Sequence, residues 1–178
     1  MPEKVKPYTE DGSKKEQVEK MFDNIAGGYD FLNRLLSARF DVKWRNLLTQ
    51  KILSHKPGQV LDVATGTADV ALTLAKHSDT VEIKGVDISH KMLEVGEKKV
   101  KKQGLESRIG LSWADAENME EPDDFYDVTT SSFGVRNFET LEKGLAEMYR
   151  VTKPGGHIYI LEFSRPAIFP LKQIYNFY

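Results

Sequence analysis

The sequence contains no cysteine among its 178 residues, which excludes disulfide bonds and thiolate metal sites and permits a reducing compartment. It also lacks any apolar run approaching the ~18 residues that a transmembrane helix needs, and no signal-peptide core follows Met1. Charges of the two signs nearly balance, with 25 lysines and arginines against 27 aspartates and glutamates, so no strong field favours nucleic acid as a partner. We expect a single globular domain that is soluble and cytoplasmic.

Several catalytic signatures are missing as well. There is no Gly-x-Ser-x-Gly elbow and no phosphate-binding loop that ends in Gly-Lys-Ser/Thr. The four histidines are scattered, with no pair at the spacing of metal ligands. Surface or capping roles are therefore favoured for them over a metal site.

What the sequence does contain is the pattern of a strand, a tight turn and a helix. An apolar run over 60–63 leads into small residues, and a helical pattern follows over 70–76. Such a turn brings backbone N–H groups to one point and, with Gly66, lets a ligand lie against the backbone. Asp62 in the strand would favour a ligand ammonium or hydroxyl, and Thr67 offers a hydroxyl and an N–H.

A second strand pattern, over 81–88, strengthens this interpretation. It ends in Asp87, roughly 20 residues after the glycine turn, where a carboxylate can bind two ribose hydroxyls. The turn and this acid together favour a ligand that contains a nucleoside.

Strand and helix patterns alternate over the whole second part of the chain, which predicts an α/β fold with a doubly wound, mostly parallel sheet. We divide the chain into a mobile leader (1–15), an N-terminal helical segment (16–56) and the core (57–178). The helical segment is broken at Gly27-Gly28 and could close as a lid over the sheet edge. Asp41 and Ser89 are the predicted N-caps of the helices that follow them.

Polar residues gather where the predicted strands end. Because ligands of open parallel sheets bind outside the carboxyl ends of the strands, these residues should share one site. Asp115 with the backbone of Ala116 suits the amine edge of a heteroaromatic ring. The predicted edge consists of Asp62, Gly66, Asp87, Asp115, Ala116, Ser132 and Glu162.

Three longer motifs carry a resemblance to a known family. They are Tyr29-Asp30-Phe31-Leu32-Asn33, Ser132-Phe133-Gly134-Val135-Arg136-Asn137, and the stretch from Arg150 through Pro154-Gly155-Gly156 to Ser164. The chain resembles the class I S-adenosylmethionine (SAM)-dependent methyltransferases. More narrowly, it is similar to the UbiE/COQ5 family of ubiquinone/menaquinone biosynthesis C-methyltransferases, from about residue 16 to the end.

The resemblance implies a seven-stranded fold with SAM bound across the carboxyl edge. The family's cofactor positions fall on Thr67, Asp87, Asp115, Ala116 and Ser132, and Asp62 and Gly66 also match its pattern.

The reaction implied is methyl transfer to a ring carbon of a polyprenylated hydroquinone, with demethylmenaquinol favoured and a ubiquinone precursor left open. Arg136 and Asn137 would stabilise the phenolate or position a ring hydroxyl, and Tyr29 would close the site. No general base is assigned. The prenyl tail implies transient contact with the inner membrane surface.

Members of that family continue past residue 178 with a helix and an antiparallel strand pair. We therefore expect a chain truncated at the C-terminus, without the last strands, whose fifth strand has an open edge that invites association, such as a homodimer.

Three alternatives remain. One is a methyltransferase for another small molecule. Another is an NAD-dependent oxidoreductase, although Ala64 and Ala68 break the Gly-x-Gly-x-x-Gly spacing. The third is a non-catalytic SAM-binding scaffold in a quinone-biosynthesis complex.

Overall fold

The centre of the molecule is a five-stranded sheet, seen in a computed structural model that describes residues 12–37 and 40–163. The strands are β1 (Gln59–Val63), β2 (Glu82–Asp87), β3 (Ile109–Trp113), β4 (Tyr126–Ser132) and β5 (Thr152–Leu161). The helices are α1 (Lys14–Ile25), α2 (Tyr29–Leu36), α3 (Phe40–Leu53), α4 (Asp69–His77), α5 (His90–Lys102) and α6 (Leu141–Val151). Short 3-10 turns cover Ala26–Gly28 and Val135–Asn137.

All paired strands run parallel, in the order β3-β2-β1-β4-β5. The order reverses direction between β1 and β4, so the crevice at their carboxyl ends is the place where such sheets bind ligands. The alternation of strand and helix patterns predicted this doubly wound α/β architecture, and the structure confirms it.

Apolar residues cover both faces of the sheet. On β1, Val60 packs into the cluster formed with α3 and α4, whereas its neighbour Leu61 packs into the cluster formed with α6. Successive strand residues point to opposite faces, so one short apolar run serves two cores. Apolar side chains therefore fill most of the strand interiors, and β4 is the exception with its buried Thr129, Thr130 and Ser131.

β5 differs from its predicted form. The Pro154-Gly155-Gly156 sequence predicts a turn before a strand at residue 157, but β5 already begins at Thr152. Tyr126 pairs with Thr152 and Val128 with His157, so the extra residues form a bulge within the strand. Gly155 takes φ +80° there, which only glycine adopts at little cost.

The N-terminal segment begins earlier than predicted. Ser13 and Glu16 form a reciprocal capping box, in which the Ser13 hydroxyl accepts from the Glu16 N–H and the Glu16 carboxylate accepts from the Ser13 N–H. The helix therefore starts at Lys14, and the predicted leader boundary at residue 15 is wrong by two residues. Residues 1–11 of that leader lie outside the described residues, as does the segment 164–178.

Asp41 is not the N-cap that its position suggested. Helix α3 begins at Phe40, and Asp41 lies buried in its first turn. Its carboxylate accepts from the Ser37 hydroxyl at 2.6 Å and from the Arg45 guanidinium at 2.7 Å. These partners hold the pKa of Asp41 below its usual value against the opposing effect of burial. Within the described ranges, no helix is both long and apolar enough to cross a bilayer.

Candidate active site

The turn between β1 and α4 is built from residues in the left-handed region. Ala64, Gly66 and Ala68 have φ values of +57°, +57° and +64°. A left-handed alanine costs roughly 1–2 kcal/mol, because its Cβ lies close to the following carbonyl oxygen. The turn holds this shape through the Thr65 N–H, which donates to the Val86 carbonyl at 3.0 Å, and through the Thr65 hydroxyl, which donates to Asp62 at 2.6 Å.

Asp62 lies beneath this turn and is only 1% exposed. Burial raises its pKa to about 7, and the hydrogen bond from Thr65 opposes that rise. Its Oδ1 atom has no hydrogen-bond partner among the described residues. A buried carboxylate oxygen without a donor is costly, so this atom is a place where a ligand donor would be stabilising.

Asp87 ends β2 beside the same turn. Its Oδ2 accepts from the Gly66 N–H at 2.7 Å, and its Oδ1 accepts from the Ser89 N–H at 2.9 Å. Burial raises the pKa of Asp87, and these backbone donors oppose the rise. The Gly66 N–H, predicted to face a ligand, therefore holds the Asp87 carboxylate in place. Each carboxylate oxygen keeps a lone pair for a further donor.

A cavity lies at the carboxyl edge of the sheet and encloses about 700 Å³ of empty space, part of it open to solvent. Pockets for small ligands and cofactors typically measure about 300–1,000 Å³. Five predicted cofactor residues lie on its wall, namely Gly66, Asp87, Asp115, Ala116 and Ser132. The Ser132 hydroxyl has no partner among the described residues.

The charged groups on the cavity wall are mostly acidic. Asp115 lies there with Asp87, Glu117 and Glu139, and Lys15 from α1 is the cation among the described wall residues. Lys15 forms an ion pair with Asp115, and this hydrogen bond raises the pKa of Lys15. The wall as a whole favours a ligand that carries positive charge.

The predicted catalytic residues separate into two groups. Tyr29 and Asn137 lie on the cavity wall. Arg136 lies outside it, paired with Glu162 at 2.5 Å and placed 5.4 Å above the centre of the Phe163 ring. The structure therefore places Tyr29 and Asn137 on one cavity and the Arg136 side chain outside it.

Tyr29 is a neutral hydrogen-bonding group at physiological pH. Burial raises the pKa of Tyr29, while a hydrogen bond to Asn33 and the positive charge of Arg136 oppose that rise. Burial therefore favours the neutral hydroxyl of Tyr29, which can donate or accept a hydrogen bond.

Thr67 is the cofactor candidate whose side chain the structure directs elsewhere. Its hydroxyl donates to Asp30 at 2.6 Å and accepts from the Lys99 ammonium at 3.0 Å. Lys99 also donates to Asp30 at 2.8 Å and pairs with Asp69. The hydroxyl predicted for a ligand thus joins α2, α5 and the β1–α4 turn to one another.

Lys15, Phe22 and Phe133 are among the wall residues that the sequence did not assign to the site. Lys15 falls in the predicted leader, and the capping box at Ser13 is the signal that places it in a helix. Phe22 has no polar group to mark it as part of a site, and Phe133 belongs to the motif 132–137 without a role predicted for its ring.

This sheet order, with a cavity at the carboxyl edge, defines the class of the protein. The fold is that of the class I SAM-dependent methyltransferases. A SAM-dependent methyltransferase from Aquifex aeolicus superposes with a TM-score of 0.59 and 23% identity, covering 68% of this chain and 66% of that chain. The [4+2]-cyclase SpnF superposes with a TM-score of 0.72 and 21% identity, covering 86% and 62%. The second likeness shows that this fold alone does not fix the chemistry.

The chain belongs to the ubiE/COQ5 methyltransferase family, whose model matches residues 10–178. The demethylmenaquinone methyltransferase of Bacteroides fragilis is 47% identical over 176 residues, covering 99% of this chain and 72% of the relative. That of Porphyromonas gingivalis is 46% identical over 178 residues, covering 99% and 73%. The ubiquinone/menaquinone biosynthesis C-methyltransferase UbiE of Geotalea daltonii is 46% identical over 166 residues, covering 93% and 71%. The predicted family and fold class are confirmed.

Proposed function

We propose that this chain binds SAM in the cavity and transfers its methyl group to a ring carbon of a polyprenylated hydroquinone, with demethylmenaquinol as the favoured acceptor. The observation that carries the proposal is that one cavity is lined both by the fixed Asp87 carboxylate and by Tyr29 and Asn137. The names of the relatives support the quinol acceptor.

The residues present fit this cofactor. Asp87 would accept from the ribose hydroxyls, and Ala114, Ala116 and Ile88 give an apolar wall for a flat heteroaromatic ring. The unpartnered Oδ1 of Asp62 would take a donor from the ammonium end. When bound, SAM supplies an electrophilic methyl group on a positively charged sulfur, and the acidic wall favours that charge.

The residues of this chain would then perform two tasks. The ring carbon gains the methyl group and releases its hydrogen as a proton, and it is most nucleophilic when a neighbouring ring hydroxyl is ionised. Asn137 and Tyr29 would hold that hydroxyl by hydrogen bonds within the cavity. Water would be kept out by Val18 and Phe22 of α1, which close one side of the cavity.

Arg136 would act on the developing phenolate through its charge. Its guanidinium is paired with Glu162 outside the cavity wall, and its charge already influences the hydroxyl of Tyr29. The catalytic role of Arg136 stays a prediction.

The acceptor's prenyl tail would require work at a membrane surface, so we propose a cytoplasmic protein with transient peripheral contact. A homodimer through the edge of β5 remains a prediction without support from the comparisons. Demethylmenaquinol is favoured over a benzoquinol because two of the most similar relatives carry that activity in their names.

The first test is calorimetric titration with S-adenosylhomocysteine, with NADH as the control ligand. Saturable binding of S-adenosylhomocysteine alone supports the proposal, and binding of NADH alone rejects it in favour of the oxidoreductase. Transfer of labelled methyl from SAM to demethylmenaquinol, measured beside a benzoquinol and an unrelated phenol, then identifies the acceptor. Binding of S-adenosylhomocysteine without methyl transfer to any of these acceptors would favour the alternative of a non-catalytic SAM-binding scaffold.

The role of Arg136 has its own test. Arg136→Ala should lower kcat by about 10²-fold or more, as loss of one electrostatic stabiliser typically does, and leave the affinity for S-adenosylhomocysteine unchanged. Arg108→Ala removes an arginine far from the cavity and serves as the control for charge. Full turnover by Arg136→Ala would overturn the catalytic assignment.

A further inference from the structure

The backbone of Phe133 adopts a conformation that bulky residues avoid. Its φ is +59°, in the left-handed region, directly after β4 ends at Ser132. Its N–H is fixed by a 2.7 Å hydrogen bond to the Leu161 carbonyl of β5. A bulky residue in this region is a genuine outlier, and such strain concentrates at functional sites.

The turn itself does not require a phenylalanine. A glycine would adopt the same φ with no steric cost. The next residue, Gly134, is glycine for another reason, because a Cβ there would lie 2.5 Å from the Ala64 Cβ and 2.8 Å from the Ser131 hydroxyl. The chain thus keeps a strained aromatic residue where glycine would relieve the backbone.

The ring of Phe133 is held in a defined place. Phe133 lies on the cavity wall together with Ser132 and Asn137. Phe163 stacks against it, with ring centres 4.8 Å apart and planes inclined by 29°, and Trp44 lies 6.2 Å away. Trp44 and Phe163 also contact each other edge to face at 5.6 Å. Two aromatic residues therefore pack against the Phe133 ring, and neither of them lines the cavity.

We propose that Phe133 is the platform on which the aromatic ring of the methyl acceptor stacks. This inference rests on the proposed function and names how that site recognises its acceptor. Phe133 would select a flat ring that carries hydroxyl groups. The face of that ring would stack on Phe133 in an offset arrangement, while Asn137 would form hydrogen bonds with the hydroxyl groups at the edge of the acceptor ring. The backbone strain is the cost of directing the ring into the cavity.

The proposal is tested by substitutions of Phe133, which should weaken acceptor binding. Phe133→Gly relieves the backbone strain but also removes the ring contacts with Phe163 and Trp44, so Tm should not rise in this variant. The KM for the quinol should rise by about tenfold through loss of stacking. Affinity for S-adenosylhomocysteine should stay unchanged.

Matched variants separate the two effects. Lys56 lies in an exposed loop with a φ of +51°, so Lys56→Gly relieves backbone strain far from Phe133. It should raise Tm and leave the KM for the quinol unchanged. Phe133→Leu keeps the strained backbone and loses the aromatic face, so it should raise the KM without raising Tm. Phe133→Tyr keeps the aromatic face and should retain the wild-type KM.

A binding measurement makes the test independent of turnover. The chain has two tryptophans, so Trp113→Phe leaves Trp44, which lies beside Phe133, as the single tryptophan for selective excitation. In the presence of S-adenosylhomocysteine, 1,4-naphthoquinone should quench Trp44 saturably. Phe133→Leu in this background should need about tenfold more naphthoquinone for the same quenching.

The outcomes distinguish this inference from the function on which it rests. Naphthoquinone binding that depends on Phe133, without methyl transfer by the wild type, rejects the proposed function and keeps the platform. Methyl transfer by the wild type, with a KM for the quinol that Phe133→Gly and Phe133→Leu leave within about twofold, overturns the platform and keeps the function.

Discussion

The carboxylate of Asp62 is buried beneath the turn between β1 and α4, and among the described residues only Thr65 donates to it, at Oδ2. Its pKa rises from 3.8 to about 7 because burial disfavours the charged form. A bound ammonium would favour that same charged form. The residue is thus unfavourable for the folded state without a ligand and favourable for ligand binding.

The effect of Asp62 on stability should depend on pH. Because its pKa is higher in the folded state, this state retains the proton between about pH 4 and pH 7, so stability falls as pH rises through that window and stays reduced above it. Asp62→Asn does not titrate. Its free energy of unfolding relative to wild type should rise by on the order of 2–4 kcal/mol between pH 5 and pH 8 in denaturant titrations.

Asp127→Asn is the matched control. The pKa of Asp127 is held below its usual value by its hydrogen bond to Lys153, so its ionisation stabilises the fold instead. A difference between Asp62→Asn and wild type that is the same at both pH values would contradict the assignment of a raised pKa to Asp62.

At the scale of elements, α1 crosses the cavity and is attached at both ends. Near its start, Lys14 donates to the carbonyl oxygens of Arg136 and Phe138 at 3.0 and 2.5 Å. Near its end, Asp23 accepts from the Ser89 hydroxyl at 2.6 Å. The helix therefore bridges the loop after β4 and the start of α5, and the lid hypothesis would require it to move for the passage of a cofactor.

The Gly-Gly pair after α1 is compatible with such passage. An added Cβ at Gly27 or Gly28 would meet nothing within 4 Å, and neither has a left-handed φ. The structure therefore gives no steric reason for glycine at either position. The backbone flexibility that a hinge needs would be a reason. The lid role of the segment 16–56 stays a prediction.

Lys15 should slow the entry of the cofactor, because its ammonium occupies the Asp115 carboxylate that a heteroaromatic amine would use. Lys15→Met keeps the apolar stem and removes the charge. We expect S-adenosylhomocysteine to associate faster and to bind about two- to fivefold more tightly, the range for a partly exposed ion pair. Stopped-flow fluorescence and calorimetry measure the two effects.

Lys98→Met, on the exposed side of α5, controls for the change in net charge. Weaker binding by Lys15→Met would show that Lys15 contacts the cofactor and does not compete with it.

At the scale of the whole molecule, the two halves of the sheet meet at the site. The turn after β1 presses against the turn after β4, where Ala64 faces Gly134. On the other side, Lys99 connects Asp30 of α2, Thr67 of the turn and Asp69 of α4. The turn between β1 and α4 is therefore positioned by contacts from both halves of the sheet and from the N-terminal segment.

Gly134→Ala should disturb both halves together, because its Cβ would lie 2.5 Å from the Ala64 Cβ, and neither backbone can move freely. We expect a loss of about 1–3 kcal/mol in the free energy of unfolding and weaker binding of S-adenosylhomocysteine. In Gly110→Ala the nearest atom is 3.9 Å away, so this variant should behave like wild type in both measurements. Wild-type behaviour of Gly134→Ala would show that the turns pack less tightly than the structure indicates.

The sequence predicted the fold and much of the cavity because both depend on local patterns. Alternating strand and helix patterns place the carboxyl ends of parallel strands at one edge, so Asp87, Asp115 and Ser132 had to lie near one another. The Ser89 cap was predicted for a similar reason, since its hydroxyl accepts from an N–H three residues later, at Met92.

What the chain determined by itself is therefore the order of elements and the edge at which polar groups collect. Only the tertiary structure decided which partner each side chain meets. Thr67 and Lys99 are 32 positions apart, and the rings of His55 and His157 stack with centres 3.7 Å apart although no spacing suggested a pair. Backbone conformation and periodicity act over a few residues, whereas such contacts form when separate elements pack together.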